Sequence, residues 1–152
     1  MADPDRATRG SGPGWGPSPV TFARRTWLAD AGQLASIRSE VRRWLGSMGV
    51  SESVASDVVF AVSEAASNAV EHAYRQPSPD DIVELTFWTE GAAICVEIVD
   101  HGLWRPPESS ELSGRGRGIV MMHELMDSVL ISYDGRGTRV LLRHVLPVRL
   151  GL

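Results

Sequence analysis

The chain has 152 residues, of which 43% are hydrophobic and 22% are charged, proportions typical of one soluble globular domain. This composition excludes collagen-like, coiled-coil and wholly disordered proteins, and the length suffices for a core that needs neither disulfide nor structural metal. With a formal net charge of −4, the chain lacks the excess of basic residues that is typical of nucleic-acid-binding proteins, so we expect no nucleic-acid partner.

Residue types that are rare or missing exclude further classes. The single cysteine, Cys95, cannot form an internal disulfide, and all 15 basic residues are arginines. A chain without lysine has neither a phosphate-binding P-loop nor a Schiff-base amine. No apolar run reaches the roughly 18 residues of a membrane span, and the N-terminus lacks the apolar stretch of a signal peptide. We therefore expect a cytoplasmic protein without a membrane partner.

The first part of the chain predicts a tail, a strand and a helix. Residues 1–18 are rich in Gly, Pro, Ser and charge, which predicts a flexible tail before one domain at 19–148. A β-prone run at 20–28 predicts a strand. Apolar residues recur at steps of three and four from Leu34 to Leu45, which predicts a helix that ends between Gly46 and Gly49.

A long second helix is predicted from an N-cap at Ser53 to about Tyr74, before the prolines at 77 and 79. Its apolar positions form one arc at about 100° per residue, with polar residues opposite, so we expect the helix to pack by one side only. The apolar arc comprises Val58, Val59, Val62, Ala66, Ala69, Val70 and Ala73, and the polar side comprises Glu64, Ser67, Asn68 and Glu71.

The second half of the chain predicts two hairpins and a third helix. Runs at 82–89 and 92–99 flank a tight turn at Glu90-Gly91, and runs at 129–133 and 138–146 flank a turn at 134–137. The intervening segment has no period until Gly118 opens the third helix. The predicted fold class is α+β, a two-layer α/β sandwich with three helices on one face of a mainly antiparallel mixed sheet.

Glu64, Asn68 and His72 follow one another at four-residue steps on the second helix, so they stack on one side of it. An amide oxygen is a ligand for a hard cation such as Mg²⁺, and a carboxylate one turn earlier can take a proton from a water or hydroxyl. The same pattern is also found on the solvated side of an ordinary amphipathic helix.

Two further motifs follow buried or irregular segments. The apolar strand at 96–99 is followed by Asp100-His101-Gly102. The carboxylate can accept a hydrogen bond from an exocyclic amine, and the glycine allows a flat ring to come close to the backbone. An ordinary Asp-x-Gly turn at the end of a strand has the same sequence. A glycine-rich loop at 114–118 feeds a helix N-terminus and carries Arg115 and Arg117, which favours an anion site. It does not follow a strand, so it is not a Rossmann fingerprint.

These motifs, in this order and together with Gly137-Thr138 at the start of the last strand, resemble the four boxes of the GHKL ATPase superfamily. The stretch at 61–74, Ala-Val-Ser-Glu-Ala-Ala-Ser-Asn-Ala-Val-Glu-His-Ala-Tyr, looks most like the N box of bacterial anti-sigma factor serine kinases. Gly116-Arg117-Gly118-Ile119 resembles their second glycine box. The resemblance covers about residues 20–146 and implies the GHKL fold, ATP and Mg²⁺.

The resemblance implies a role for each matching residue. Asn68 matches the magnesium-binding asparagine, Glu64 the glutamate proposed as catalytic base, and Asp100 the adenine-recognising aspartate. The phosphate-contacting and adenine-supporting positions, together with the neighbouring arginines that complete the implied ATP-binding set, are Gly102, Gly116, Gly118, Thr138, Arg115 and Arg117. Arg38 lies where the family often has a partner-contacting arginine.

The implied function is an anti-sigma factor kinase that phosphorylates a serine of an anti-anti-sigma (STAS-type) protein, binds a sigma factor and forms a homodimer. One position departs from the family pattern, because Trp104 replaces the second glycine of the box Asp-x-Gly-x-Gly. The alternative hypothesis is therefore a regulator of the same kind that binds its partners without catalysis, with or without nucleotide.

Overall fold

The computed structural model describes residues 22–74, 78–103 and 117–147. The predicted tail at 1–18 lies outside these ranges, as do Trp104, Arg115 and Gly116. The described chain forms five strands and three helices, with a short 3₁₀ turn at Ala31–Gln33 before the first helix. In chain order they are β1 (Ala23–Leu28), α1 (Leu34–Ser47), α2 (Glu52–His72), β2 (Ile82–Glu90), β3 (Ala93–Asp100), α3 (Arg117–Leu125), β4 (Ser128–Asp134) and β5 (Gly137–Val145).

The five strands form one sheet in the order β1-β2-β3-β5-β4, and each described pair of neighbours is antiparallel. Both predicted hairpins are present, and Gly91 in the β2–β3 turn has a φ of 56°, a left-handed conformation that favours glycine. At one end of the sheet Asp100 is paired with Val83 on one side and with Thr138 on the other. The end of β3 is therefore held between two strands.

The helix α1 follows the predicted pattern. Its fully buried residues are Ile37, Val41 and Leu45, spaced four apart on the side that faces the core. It ends at Ser47, and Gly49 just beyond has a φ of 69°, typical of a glycine that terminates a helix. Trp44 packs against Phe87 of β2 with ring centroids 5.0 Å apart, which fixes α1 over the sheet.

The N-cap of α2 is Ser51, and the prediction of Ser53 is wrong. Ser51 has an extended backbone and its hydroxyl accepts from the Val54 N–H at 3.2 Å. Both serines have the side chain that a cap requires, and the backbone conformation after the α1–α2 turn decides between them.

The helix α2 lies between α1 and α3 and also packs on the sheet. Ala61 and Ala65, which fall outside the predicted apolar arc, are buried to 0% and 2% exposure because a neighbouring helix covers them. The buried side of α2 is thus wider than the predicted arc, and the helix still packs by one side. Small alanine side chains allow two helices to approach α2 closely, while Glu64 and Asn68 remain half-buried.

The three helices and one face of the sheet enclose a single core. Alternate residues of β2 and β3 point into it, in keeping with the two-residue period of strands. Met122 of α3, at 0% exposure, joins the same core. The sheet side of the core comprises Val83, Leu85, Phe87, Ile94, Val96, Ile98, Val129, Val140 and Leu142. The predicted α+β class with three helices on one face is confirmed.

Among the helices of the described residues, none combines the length and apolar content needed to cross a bilayer.

Candidate functional site

The first half of the candidate site lies on α2. Glu64 and Asn68 are one turn apart, about 6 Å along the helix axis, and both are half-buried. His72 is the last residue of α2, and its side chain lies outside the described part of the structure. A carboxylate and an amide oxygen are thus presented from the same side of one rigid helix.

The N-terminus of α3 meets Glu64. A Cβ atom at position 118 would lie 3.2 Å from Cδ of Glu64 and closer still to Oε2, so Gly118 packs its bare backbone against this carboxylate. Arg117, exposed, precedes it as the first residue of α3. Since unpaired N–H groups and the positive end of the helix dipole lie at this end, it is a favourable place for negative charge.

The second half of the candidate site is the end of β3. Asp100 is only 3% exposed, and its Oδ1 accepts from the N–H of Gly102 at 3.0 Å and from the N–H of Thr138 at 3.3 Å. Burial raises the pKa of Asp100, and the two backbone hydrogen bonds oppose that rise. A carboxylate can accept about four hydrogen bonds, so Asp100 retains capacity for a further donor.

Gly102 packs on the C-terminal end of α2. A Cβ atom at this position would lie 2.7 Å from Cβ of Ala73 and closer to its carbonyl, and the next residue, Leu103, donates its N–H to the Ala73 carbonyl at 2.6 Å. The close approach to α2 therefore requires a glycine here, whatever ligand is bound. The sequence pattern did not indicate this contact, because it joins residues far apart in the chain.

Gly137 makes a similar approach from β5. Its φ is 143°, and a Cβ atom would lie 2.8 Å from the carbonyl carbon of Asp100 and from Cα of His101. The neighbouring Thr138 is 2% exposed and faces Asp100. The sequence analysis names Gly137 with Thr138 but gives it no role, and its close approach to Asp100 adds it to the site.

Tyr74 is a second residue that the sequence analysis missed. Its hydroxyl donates to the Ile82 carbonyl at 2.6 Å and accepts from the His101 N–H at 3.0 Å. Burial raises the pKa of this phenol, and the hydrogen bond from His101 opposes the rise. The signal in the sequence was its place as the last residue of the box at 61–74.

A cleft of about 430 Å³ opens at this end of the sheet, beside Asp100 and Thr138. The end of β3 forms one wall and the β4–β5 hairpin the other. Charges of both signs line it, with Arg136 and Arg139 on the hairpin side. Asp100 and Thr138 line this cleft, whereas Glu64, Asn68 and Gly118 are not among its lining residues.

The structure brings most of the predicted residues into two groups joined by α2. Glu64, Asn68 and Gly118 form one group, and Asp100, Gly102 and Thr138 form the other, at the C-terminal end of the same helix. From the rise per residue, Ala73, which touches Gly102, lies about 7.5 Å along the axis from Asn68 and about 13.5 Å from Glu64. Arg38 is exposed on α1 and belongs to neither group.

The oxygen donors of the first group fit Mg²⁺. Protein sites bind this hard cation through one or two side-chain oxygens and leave its other positions to water and phosphate. Asn68 supplies an amide oxygen and Glu64 a carboxylate on the same side of α2, and Gly118 leaves the space beside them free of a side chain.

A family model described as a histidine kinase-like ATPase domain matches residues 27–144. Since this match spans well over half of the sequence, the chain belongs to the family of histidine kinase-like ATPase domains. The resemblance to the GHKL superfamily is thereby confirmed.

Individual relatives narrow the comparison. The chain is 29% identical over 98 residues to the anti-sigma F factor of Clostridium acetobutylicum, over 57% of this chain and 67% of the relative. It is also similar to the crystal structure of the RsbU and RsbW domains of Rv1364c from Mycobacterium tuberculosis, with a TM-score of 0.66 and 25% identity. That match covers 89% of this chain but only 36% of the other.

A further structure shares the fold. The histidine kinase domain of a blue-light activated histidine kinase from Erythrobacter litoralis EL346 matches with a TM-score of 0.57 and 20% identity, over 76% of this chain and 60% of that one. The chain is thus similar in sequence to an anti-sigma factor, and it shares its fold with both solved structures.

Proposed function

We propose that the chain is a cytoplasmic, Mg-ATP-dependent serine/threonine kinase that phosphorylates an anti-anti-sigma protein of the STAS type and binds a sigma factor as a homodimer. The observation that carries the proposal is the position of α2. This helix holds Glu64 against the N-terminus of α3 at one point and contacts the Asp100 turn at its C-terminal end. The names of the anti-sigma F factor and RsbW relatives support it.

The nucleotide is bound at both groups. Asp100 accepts a hydrogen bond from the exocyclic amine of adenine, supported by Thr138, whose N–H fixes the carboxylate. The phosphates lie at the N-terminus of α3, where Gly118 and Arg117 supply backbone N–H groups and positive charge. Gly116 and Arg115, which lie outside the described residues, belong to the same proposed phosphate-binding set. Asn68 would hold a Mg²⁺ ion, whose charge would offset that of the phosphates.

Phosphoryl transfer then follows an in-line displacement. Glu64 orients the serine hydroxyl of the acceptor and takes its proton as the serine oxygen bonds to the γ-phosphorus. The bond between that phosphorus and the bridging oxygen breaks, so ADP leaves and phosphoserine forms. Backbone N–H groups at the start of α3 are aimed at the charge that develops on the phosphoryl oxygens.

Transfer of ³²P from labelled Mg-ATP to the purified cognate acceptor tests the proposal. We expect Asn68→Ala and Glu64→Ala each to slow transfer by at least about a hundredfold, the lower range for loss of a positioned acid–base group. Ser36→Ala, which removes a hydrogen bond to Trp27 on the α1 side, serves as the folded control and should transfer normally. A full rate in Glu64→Ala would show that Glu64 is not the base.

Trp104 favours a second candidate, a regulator that binds partners without catalysis. A tryptophan at the second glycine of the first glycine box adds bulk where the family has none. Nucleotide binding without transfer would select this candidate, and no binding at millimolar Mg-ATP would leave only the interaction role. In both cases Arg38, exposed on α1, is our proposed contact with the sigma factor.

A further inference from the structure

The hydroxyl of Tyr74 joins three elements. Tyr74 lies just after α2. Its hydroxyl donates to the carbonyl of Ile82 at the start of β2 and accepts from the N–H of His101 directly after β3. A phenol has one donor and can accept as well, so both capacities are used in these two bonds. The hydroxyl is therefore hydrogen-bonded to the start of β2 and to the residue after β3 at the same time.

A backbone contact lies beside it. The Ala73 carbonyl accepts from the N–H of Leu103 at 2.6 Å, and Gly102 packs on Ala73 without space for a side chain. We call these contacts of Tyr74 and Ala73 with residues 101–103 the α2–β3 latch. Within the latch, Tyr74 supplies the side-chain contact. A substitution at Tyr74 can therefore remove this hydrogen bond and leave residues 101–103 of the turn unchanged.

The latch contacts residues 101–103, which form the turn directly after Asp100. His101 is bonded to Tyr74, and the N–H of Gly102 donates to Oδ1 of Asp100 at 3.0 Å. The orientation of the Asp100 carboxylate depends on the peptide units at 101 and 102. A free N–H at His101 would allow the first of these units to rotate, which would weaken the hydrogen bond from Gly102 to the carboxylate and leave only that from Thr138 to orient it.

We propose that Tyr74 is a positioning residue: its hydroxyl fixes the Asp100 turn on the C-terminal end of α2 and thereby determines selectivity for a nucleobase with an exocyclic amine. The proposal rests on the proposed function for the identity of the ligand. Together with the Ala73–Leu103 hydrogen bond, the Tyr74 contact sets the distance between base recognition at Asp100 and cation binding at Asn68. Phosphate contacts at α3 do not depend on it.

The experiment compares Mg-ATP with Mg-ITP by calorimetric titration of the full chain. ITP carries an oxo group in place of the amine and has the same phosphates. We expect Tyr74→Phe to weaken ATP binding about tenfold, the effect of one lost hydrogen bond at a site, and to leave ITP binding unchanged. Ser36→Ala, which also removes one hydrogen-bonded hydroxyl, should leave both affinities unchanged.

Equal weakening of ATP and ITP in Tyr74→Phe would show a general structural role and overturn the selectivity claim, as would unchanged ATP binding. Amide hydrogen exchange of the nucleotide-free protein tests the latch itself. We expect faster exchange at His101 in Tyr74→Phe than in the wild type, and equal rates would overturn the positioning role. Wild-type protein that binds neither nucleotide would contradict the proposed function, and the exchange data would then decide on the latch alone.

Discussion

At the scale of single residues, the candidate site combines one buried carboxylate with three closely packed glycines, where a Cβ atom would meet backbone at Gly102 and Gly137 and the Glu64 side chain at Gly118. Gly102 faces Ala73, Gly118 faces Glu64, and Gly137 faces the backbone of Asp100. Close packing against a neighbour in the protein thus gives a reason for a glycine at each of these positions. The resemblance to a nucleotide-binding family implied ligand contacts for two of them, and the structure adds the packing reason.

Asp100 connects stability with pH. Because burial raises its pKa, the folded state holds the proton to higher pH than the unfolded state does. Between the two pKa values the folded state binds more protons, so the contribution of Asp100 to the free energy of unfolding falls as pH rises through this window. At neutral pH the buried charge therefore destabilises the fold.

We expect Asp100→Asn to raise the free energy of unfolding at pH 7 in the absence of nucleotide, because the amide keeps the acceptor oxygen and removes the charge. The gain should shrink as pH falls through the raised pKa of Asp100. Urea denaturation at pH 7 and pH 4 measures it, with the exposed Asp80→Asn as the matched control. A variant that is less stable at pH 7, or a gain that does not change with pH, would contradict the assignment of this shift to burial.

At the scale of elements, the sequence predicted what depends on local patterns. Helix α1 was predicted because Ile37, Val41 and Leu45 repeat at helical spacing and glycines follow. The β2–β3 hairpin was predicted because two apolar runs flank a glycine turn. The cap of α2 was placed two residues too late, because Ser51 and Ser53 differ in backbone conformation and not in side chain.

Contacts between distant elements were not predictable in this way. Ala61 and Ala65 border the predicted apolar arc and are buried as well, because α2 packs on α1, α3 and the sheet and alanine contributes little to a hydrophobic pattern. The hydrogen bond from His101 to Tyr74 spans 27 residues, and no local spacing indicates it. The roles of Glu64, Asn68 and Asp100 came from the resemblance, because each pattern alone also fits an ordinary helix or turn.

The contact of the Asp100 turn with α2 can be tested by filling its closest approach. Gly102→Ala places a methyl group against the Ala73 carbonyl, so we expect the free energy of unfolding to fall by about 1–3 kcal/mol, as for other overpacked sites. Gly46→Ala in α1 is the control. A Cβ atom there meets nothing within 4 Å, and a helical alanine should gain up to about 1 kcal/mol.

Urea denaturation of both glycine variants decides the matter. If Gly102→Ala were as stable as the wild type while Gly46→Ala behaved as expected, the turn would have room to move away from α2. The packing explanation for Gly102 would then be wrong, and a ligand contact would be the remaining reason for a glycine at this position.

At the scale of the whole molecule, α2 serves both the core and the candidate site. Its alanines and valines lie at the centre of the helix layer, and its Glu64 and Asn68 remain accessible beside α3. The sheet holds Asp100 at the end of the same helix. The proposed position for cation binding, Asn68, thus lies on α2 itself, and the proposed position for base recognition, Asp100, ends the strand whose following turn packs on the C-terminal end of that helix.

Calorimetric titration of the full chain with Mg-ATP tests this account most directly. We predict saturable binding by the wild type that Asn68→Ala and omission of Mg²⁺ each weaken at least tenfold, since Asn68 would hold the cation that offsets the phosphate charge. Ser36→Ala should bind like the wild type. Absence of heat and of any thermal shift at millimolar Mg-ATP, or equal affinity with and without Asn68, would contradict a nucleotide site between α2, α3 and the end of β3.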